Sequence, residues 1–242
     1  MLVKSQAIVL HKLRYNDADS IVCLYSKEYG RISYLTSNHK KKSHTVSQAS
    51  LQPLSIIEYE GDHKGSRELQ RLKETHLLYS FSGIPFDPVK NGISFFLAEI
   101  LYRVLNEAED DGRLFDFLLQ SIQILDLSNQ GTANFHLVFL CKLSLFLGFY
   151  PNVSSYQPCW YFDMLAGEFA PTPPSHHTWI PANDSQLLAN LLHTDFHNMN
   201  ELSLEHTKRV ELLHYLIEYY RLHLSDFPTI RSLDILQECF GE

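Results

Sequence analysis

The sequence predicts an α+β protein of two domains: a small five-stranded β-barrel, then a mainly α-helical domain that carries a β-hairpin. Short β-branched and aromatic segments fill the first 80 residues, and a helical spacing of apolar residues follows from about residue 88. The charge changes at the same place. Residues 1–77 hold 12 Lys+Arg and 8 Asp+Glu, a net of +4, whereas residues 78–242 hold 8 and 20, a net of −12. We therefore place the two domains at residues 1–80 and 81–242.

Five segments of the first domain have the composition of strands: residues 6–10, 20–25, 31–36, 54–59 and 68–79. Asn16 and Asp17 mark a turn before the second segment. Gly30 supplies the positive φ that a short hairpin loop requires before the third. Five short strands so close together favour a closed barrel over an open sheet.

Helical signals begin at Asp87-Pro88, since Asp caps free backbone N–H groups and Pro fits the first turn. Apolar residues at i, i+3, i+4 and i+7 predict helices over residues 93–105 and 114–125. A third, over residues 133–148, is apolar nearly all round and should lie at the centre of a helical bundle. Residues 150–184, rich in Pro and aromatic residues, predict a hairpin with loops, and helices resume over residues 184–193 and 204–224.

The sequence lacks the patterns of the common catalytic and metal sites. Four widely spaced cysteines exclude CxxC chemistry and favour reduced thiols; they are Cys23, Cys141, Cys159 and Cys239. His193 and His197 can share one helix face, but Thr194 stands where a metalloprotease helix needs Glu. GxSxG, P-loop and GxGxxG motifs are absent. We expect a binding protein without cofactor or metal.

No targeting or membrane-spanning segment is predicted. The first residues do not form a signal peptide, and the apolar stretch at residues 135–150 falls short of the roughly 20 residues that span a bilayer. A cytoplasmic protein with no membrane partner is therefore expected.

The cations of the first domain are the candidate DNA-binding residues: Lys12, Arg14, Arg31, Lys40, Lys41 and Lys42. A basic groove on a barrel neutralises phosphates and releases counterions. A run of three lysines is also typical of a solvated loop, so it is the charge asymmetry that favours nucleic acid. Four tyrosines nearby are candidates for base stacking, although packing within the barrel is their commoner role; they are Tyr15, Tyr25, Tyr29 and Tyr34.

Three isolated cations of the helical part are candidates for binding the carboxylate of a partner peptide: Arg103, Arg113 and Lys142. The alternative for each is an internal ion pair with Glu99, Glu107 or Asp116.

Several segments, taken in order, resemble the bacterial DNA repair protein RecO family. They are Ala7-Ile8-Val9-Leu10, Tyr15-Asn16-Asp17-Ala18-Asp19, residues 26–32, Lys40-Lys41-Lys42-Ser43, Leu51-Gln52-Pro53-Leu54, residues 95–101 and residues 146–151. The resemblance implies an N-terminal OB-fold and a non-enzymatic mediator of recombinational repair, associated with the nucleoid. Such a protein binds single- and double-stranded DNA, anneals complementary strands and works with RecR to load RecA onto DNA coated by single-strand-binding protein. It also implies that the helical domain contacts the C-terminal tail of that coating protein.

The sequence departs from this family in one respect. Many members carry a four-cysteine zinc site where this chain has residues 151–180, which contain Cys159 alone. His176 and His177 do not complete a site, so we expect no zinc. Aromatic packing should hold the hairpin instead, through Trp160, Tyr161, Phe162, Phe169 and Trp179.

Two other functional classes remain open at this point. An OB-type adaptor that binds proteins without DNA would use the acidic half as its working surface. A hydrolase would use Asp17 or Asp19 with His11, although their spacing implies no particular geometry. Measuring DNA binding across a salt series separates the first of these from a DNA-binding mediator.

Overall fold

The computed structural model describes residues 1–37, 46, 49–63, 69–105 and 112–239. The chain divides into two compact units, residues 1–127 and 128–242. The first unit holds the barrel together with two helices, and the second holds the later helices and a small sheet. This division groups the first two helices with the barrel, whereas the boundary expected from the sequence lies at residue 80.

The barrel of the first unit is closed, as predicted, with strands in the order β1-β2-β3-β5-β4. Its strands are β1 (Leu2–Arg14), β2 (Asp19–Ser26), β3 (Gly30–Ser37), β4 (Ile56–Asp62) and β5 (Leu69–Leu77). A five-stranded closed barrel in this order is the OB-type arrangement.

Two features of strand pairing close the barrel. The first half of β1 pairs with β4 and its second half pairs with β2, with an irregularity in the register between Val9 and His11. Such a bulge bends a strand, which lets one strand serve two neighbours. A short parallel pairing of residues 33–35 of β3 with residues 69–71 of β5 completes the ring.

The hairpin between β2 and β3 turns at Gly30, which has a φ of 59°, as predicted. Alternate residues of the strands fill the barrel interior with aliphatic and aromatic side chains, including Val9, Leu24, Ile32, Tyr34 and Tyr59. The burial of Tyr34 and Tyr25 assigns these two tyrosines to packing.

Two helices complete the first unit, α1 (Pro88–Val104) and α2 (Gly112–Leu127). The Asp87 carboxylate accepts hydrogen bonds from the backbone N–H groups of Val89 and Lys90, so the predicted N-cap is confirmed. Helix α1 packs on β1, and Phe115 of α2 stacks on Tyr25 at 6.3 Å between ring centroids.

The second unit contains α3 (Phe135–Phe146), α4 (Ala182–Leu192), α5 (His206–His223) and α6 (Ser232–Cys239). Helix α3 is buried on nearly every side and packs against α4 and α5, as its composition predicts. Tyr220 of α5 donates a hydrogen bond to the Leu140 carbonyl of α3 at 2.7 Å. Among the described residues, no helix is both long and apolar enough to cross a membrane.

A small antiparallel sheet in the second unit confirms the predicted hairpin and adds a third strand. It consists of β6 (Tyr161–Asp163), β7 (Glu168–Ala170) and β8 (Trp179–Ile180), in the order β7-β6-β8. Aromatic pairs hold it: Phe162 lies 4.9 Å from Phe169, and Tyr161 lies 5.2 Å from Trp179, between ring centroids.

Candidate nucleic-acid interface

The three lysines at the centre of the predicted DNA site, Lys40, Lys41 and Lys42, lie outside the described residues. They belong to the connection between the end of β3 at Ser37 and the start of β4 at Ile56. Their role as DNA contacts stays a prediction.

Arg31, on the outer side of β3, is held by α1. Its guanidinium lies 4.6 Å from the centroid of the Tyr102 ring and donates a hydrogen bond to the Tyr102 carbonyl at 2.9 Å. This geometry combines a cation–π contact with a charge-assisted hydrogen bond. Arg31 therefore links the barrel to α1, which gives it a structural role besides the predicted one.

Lys12 and Arg14 lie near the end of β1. Lys12 stands opposite Val22, and partial burial lowers the pKa of its ammonium group. Arg14 is exposed and forms an ion pair with Asp17, in a turn where the Asn16 side chain accepts hydrogen bonds from the backbone N–H groups of Ala18 and Asp19. The positive charge of Arg14 is thus partly neutralised by the neighbouring Asp17 carboxylate.

Three further cations of the barrel form ion pairs. Lys4 bonds to Glu58 at 2.8 Å, Lys27 to Asp116 at 3.0 Å and Lys73 to Asp62 at 2.7 Å. Arg71, which the sequence analysis did not select, is exposed on β5 beside Leu35 of β3 and makes no ion pair with a described residue. Burial alternates along residues 69–73 and leaves Arg71 towards solvent, but their order, Leu-Gln-Arg-Leu-Lys, does not alternate apolar with polar residues, so the sequence holds no signal for it.

The net positive charge of residues 1–77 comes from two connections between strands. The described part of residues 1–77 holds seven Lys+Arg and seven Asp+Glu, so its net charge is zero. The connections from β3 to β4 and from β4 to β5 hold the remaining five Lys+Arg and one Asp+Glu, a net of +4. Besides the three lysines already named, these cations are Lys64 and Arg67, which the sequence analysis also did not select.

The remaining candidate tyrosines differ in exposure. Tyr29 is half-buried and packs on His63, with the ring centroids 4.5 Å apart, while Tyr15 is 59% exposed in the turn between β1 and β2. Of the four tyrosines considered for stacking, Tyr15 presents most surface to solvent.

The three candidate cations for partner binding have different surroundings. Arg103 lies 3.9 Å from Glu99, one of the internal partners considered for it. Lys142 forms an ion pair with Asp195, a partner that the sequence analysis did not consider. Arg113 is exposed in the first turn of α2. Their predicted role in binding a peptide carboxylate is not tested by these contacts.

Two of the residues proposed for a hydrolase, Asp17 and His11, have separate partners. Asp17 is 98% exposed and pairs with Arg14, and His11 stacks on Tyr102 at 4.6 Å between ring centroids. Burial, reinforced by the charge of Arg103, lowers the pKa of His11. This arrangement does not bring the histidine and the carboxylate together as an acid–base pair.

The histidines considered as metal ligands do not fit a metal site. Helix α4 ends at Leu192, so His193 and His197 do not share a helix face as the sequence analysis allowed. His176 hydrogen-bonds the Asp163 carboxylate at 3.2 Å, and Cys159 is an exposed free thiol. Among the described residues no group of three or more His, Cys, Asp and Glu side chains is arranged to hold a metal ion. These donors do not fit the four-ligand zinc site of many family members.

Comparison with known proteins identifies the family. Residues 1–81 match the family "Recombination protein O N terminal", and residues 85–232 match "Recombination protein O C terminal". The chain is 41% identical over 241 residues to the DNA repair protein RecO of Phocaeicola vulgatus, covering 100% of both chains. It is 42% identical to that of Bacteroides fragilis, over 99% of this chain and 100% of the relative, and 34% identical to that of Flavobacterium psychrophilum, over 100% of both. The chain therefore belongs to the RecO family of DNA repair proteins.

Proposed function

We propose that this protein is a non-enzymatic DNA-binding mediator of recombinational repair. It binds single- and double-stranded DNA, anneals complementary strands and, with RecR and single-strand-binding protein, loads RecA. It acts in the bacterial cytoplasm at the nucleoid, without a cofactor.

One observation carries the DNA-binding part of this proposal: the +4 excess of the first 77 residues belongs to two connections between strands of a RecO-family barrel. The loops of an OB-fold, including the one between β4 and β5, are common sites of oligonucleotide binding. The described residues of this region are electrically neutral in sum, so attraction of a polyanion depends on these connections.

The mechanism follows from electrostatics. Lysines in the connections replace the counterions of the sugar–phosphate backbone, which gives affinity without sequence preference. Residues 78–242, with a net charge of −12, repel DNA over distance, so we assign protein contacts to this part of the chain. Arg103, Arg113 and Lys142 stay the candidates for a carboxylate of the coating protein's C-terminal tail.

Charge reversal of the three lysines tests the proposal. Replacing all three residues, Lys40, Lys41 and Lys42, by Glu in one variant should abolish binding of a fluorescent oligonucleotide at moderate salt and leave the thermal unfolding curve unchanged. As a matched control for the single change Lys41→Glu, Arg221→Glu makes the same charge change on an exposed side chain of α5, and it should weaken binding far less. DNA affinity that survives the triple change would show that the protein binds DNA elsewhere.

The paired cations favour a second candidate, an OB-type adaptor without direct DNA binding. Lys4, Arg14, Lys27 and Lys73 all have carboxylate partners, which reduces the charge they offer to phosphate. This candidate predicts no DNA binding by the wild-type protein at any salt concentration, together with partner binding that is insensitive to salt.

A further inference from the structure

The first unit contains a cleft of about 380 Å³ that none of the preceding contacts uses. Its walls come from the segment before β4, the end of β5 with the residues that follow it, and the first half of α1. Leu77, Phe81 and Phe95 provide apolar surface, and the Phe95 side chain is 47% exposed. This volume lies within the range of small-ligand sites, which are mainly apolar with a few polar groups.

Three polar side chains of the cleft have no hydrogen-bond partner among the described residues, whereas the Ser94 hydroxyl donates to the Asn91 carbonyl at 2.8 Å. The side chains of Gln52, Ser80 and Asn91 line it, and none of them hydrogen-bonds to another residue in the part of the chain that the structure describes. Among the described residues lining the cleft, none has an ionisable side chain. The cleft therefore offers an aromatic face together with amide donors and acceptors, and no charge.

We propose that this cleft is a nucleobase subsite, which takes one unstacked base of single-stranded DNA against Phe95. The inference rests on the proposed DNA-binding function and adds a base contact to the phosphate contacts described there. Base stacking on aromatic side chains is the usual way in which proteins hold single strands, and side-chain amides pair with base edges.

Two arguments favour a base over other occupants. An uncharged lining gives no counter-charge to a phosphate or to an acidic peptide tail. An aliphatic side chain of a protein partner would fill the apolar part, but it would cover three polar side chains without satisfying them, which costs binding energy. A base, with hydrogen-bonding groups on its edges, fills the apolar part and satisfies the amides.

The position of the cleft is consistent with the proposed phosphate contacts. Gln52 lies in the same connection between β3 and β4 as the three lysines, ten residues after Lys42. One connection thus supplies both a run of cations and a wall of the cleft, as expected where a single strand is held by its backbone and by a base.

Two exposed phenylalanines provide a matched test. Phe95→Ala removes the aromatic face of the cleft, whereas Phe86→Ala removes a side chain that is 82% exposed and is not among those lining the cleft. With a fluorescein-labelled oligothymidylate, Phe95→Ala should bind about tenfold more weakly than wild type, the size of effect that stacking of one base gives. Phe86→Ala should bind like wild type, and both variants should unfold at the wild-type temperature because both side chains are exposed.

Two further measurements identify what the cleft contacts. The slope of log affinity against log salt should be the same for wild type and Phe95→Ala, because no phosphate contact is removed. On an oligomer of equal length in which every nucleotide is abasic, the advantage of wild type over Phe95→Ala should vanish. Asn91→Leu should reduce the preference for the intact oligomer in the same direction.

The inference is overturned if Phe95→Ala binds oligothymidylate like wild type, if Phe86→Ala is weakened equally, or if the advantage of wild type persists on the abasic oligomer. Failure of the wild-type protein to bind any oligonucleotide would instead refute the proposed function, and the two failures are therefore distinguishable.

Discussion

His136, on α3, is buried, with 1% of its surface exposed. Burial, with a smaller contribution from the positive charge of Arg209, lowers the pKa of this imidazole to about 3. The native state therefore holds His136 neutral, while the unfolded chain binds a proton near the ordinary histidine pKa of about 6.5.

This difference predicts a loss of stability in acid. Because the folded pKa is depressed, the contribution of His136 is fully present above about pH 6.5 and is lost as pH falls towards 3, at up to about 1.4 kcal/mol per pH unit. Denaturant unfolding of wild type and His136→Gln between pH 7 and 4 measures it, and the variant should show a flatter dependence. His177→Gln, on an exposed side chain, is the control and should follow wild type; a parallel dependence in His136→Gln would contradict the assignment.

The sequence identifies the individual cations of the candidate site but not the residues that contact them. Composition identifies the cations of the first domain, but their partners follow from strand register and from packing against α1. Lys4 meets Glu58 because β1 and β4 run antiparallel side by side, and Arg31 meets Tyr102 because the C-terminal part of α1 reaches the start of β3. Glu58 and Tyr102 are both distant in sequence from the cations that contact them, so no local pattern reveals these contacts.

At the scale of elements, α2 is tied by its C-terminal end to the segment between β5 and α1. The Asp126 carboxylate accepts hydrogen bonds from the backbone N–H groups of Ser82, Gly83 and Ile84 at 2.8–3.1 Å, and from the Tyr79 hydroxyl at 3.1 Å. Burial alone would raise the pKa of Asp126, but these donors outweigh it and lower the pKa. The Lys90 ammonium completes the junction by donating to the Asp126 carbonyl at 2.8 Å.

Loss of this carboxylate should destabilise the first unit. Asp126→Asn puts an amide donor among backbone donors, and we expect a loss of about 1–3 kcal/mol in the free energy of unfolding. Asp116→Asn is the matched control on the same helix: its exposed ion pair with Lys27 is worth about 0–1 kcal/mol. Chemical denaturation compares the two, and equal losses would show that the Asp126 junction is not a special anchor.

Elements with strong local signals are predicted well, and those that depend on pairing are not. The hairpin at Gly30 and the cap at Asp87 follow from local chemistry and match the structure. The first strand, predicted over residues 6–10, spans Leu2–Arg14, because cross-strand pairing extends it through polar residues. Strand β8 has two residues, and α6 has eight, so neither gives a periodic pattern long enough to detect.

At the scale of the whole molecule, the proposed function assigns DNA contacts to the basic connections of the barrel and protein contacts to the acidic remainder of the chain. Residues 78–242 have a net charge of −12, which brings the overall net charge to −8, so the protein as a whole does not attract DNA. Under the proposed function, attraction comes from the five cations of the two connections and from Arg71, which makes no ion pair with a described residue. The sequence predicts this asymmetry, but the structure is needed to see that the described residues of the barrel, turns included, contribute no net charge to it.

This small group limits the salt dependence of DNA binding. The five cations of the two connections, with Arg71, allow about six phosphate contacts, so log affinity against log salt should have a slope no steeper than about −4 for single strands and about −5 for duplex DNA. Fluorescence anisotropy across a salt series measures both slopes. Arg71→Ala should lower the steepness by about 0.7 on single strands, while Lys4→Ala, which removes a cation already paired with Glu58, should leave it unchanged. Slopes much steeper than these would mean that further cations of the barrel, Lys12 and Arg31 or those in ion pairs, also contact phosphate.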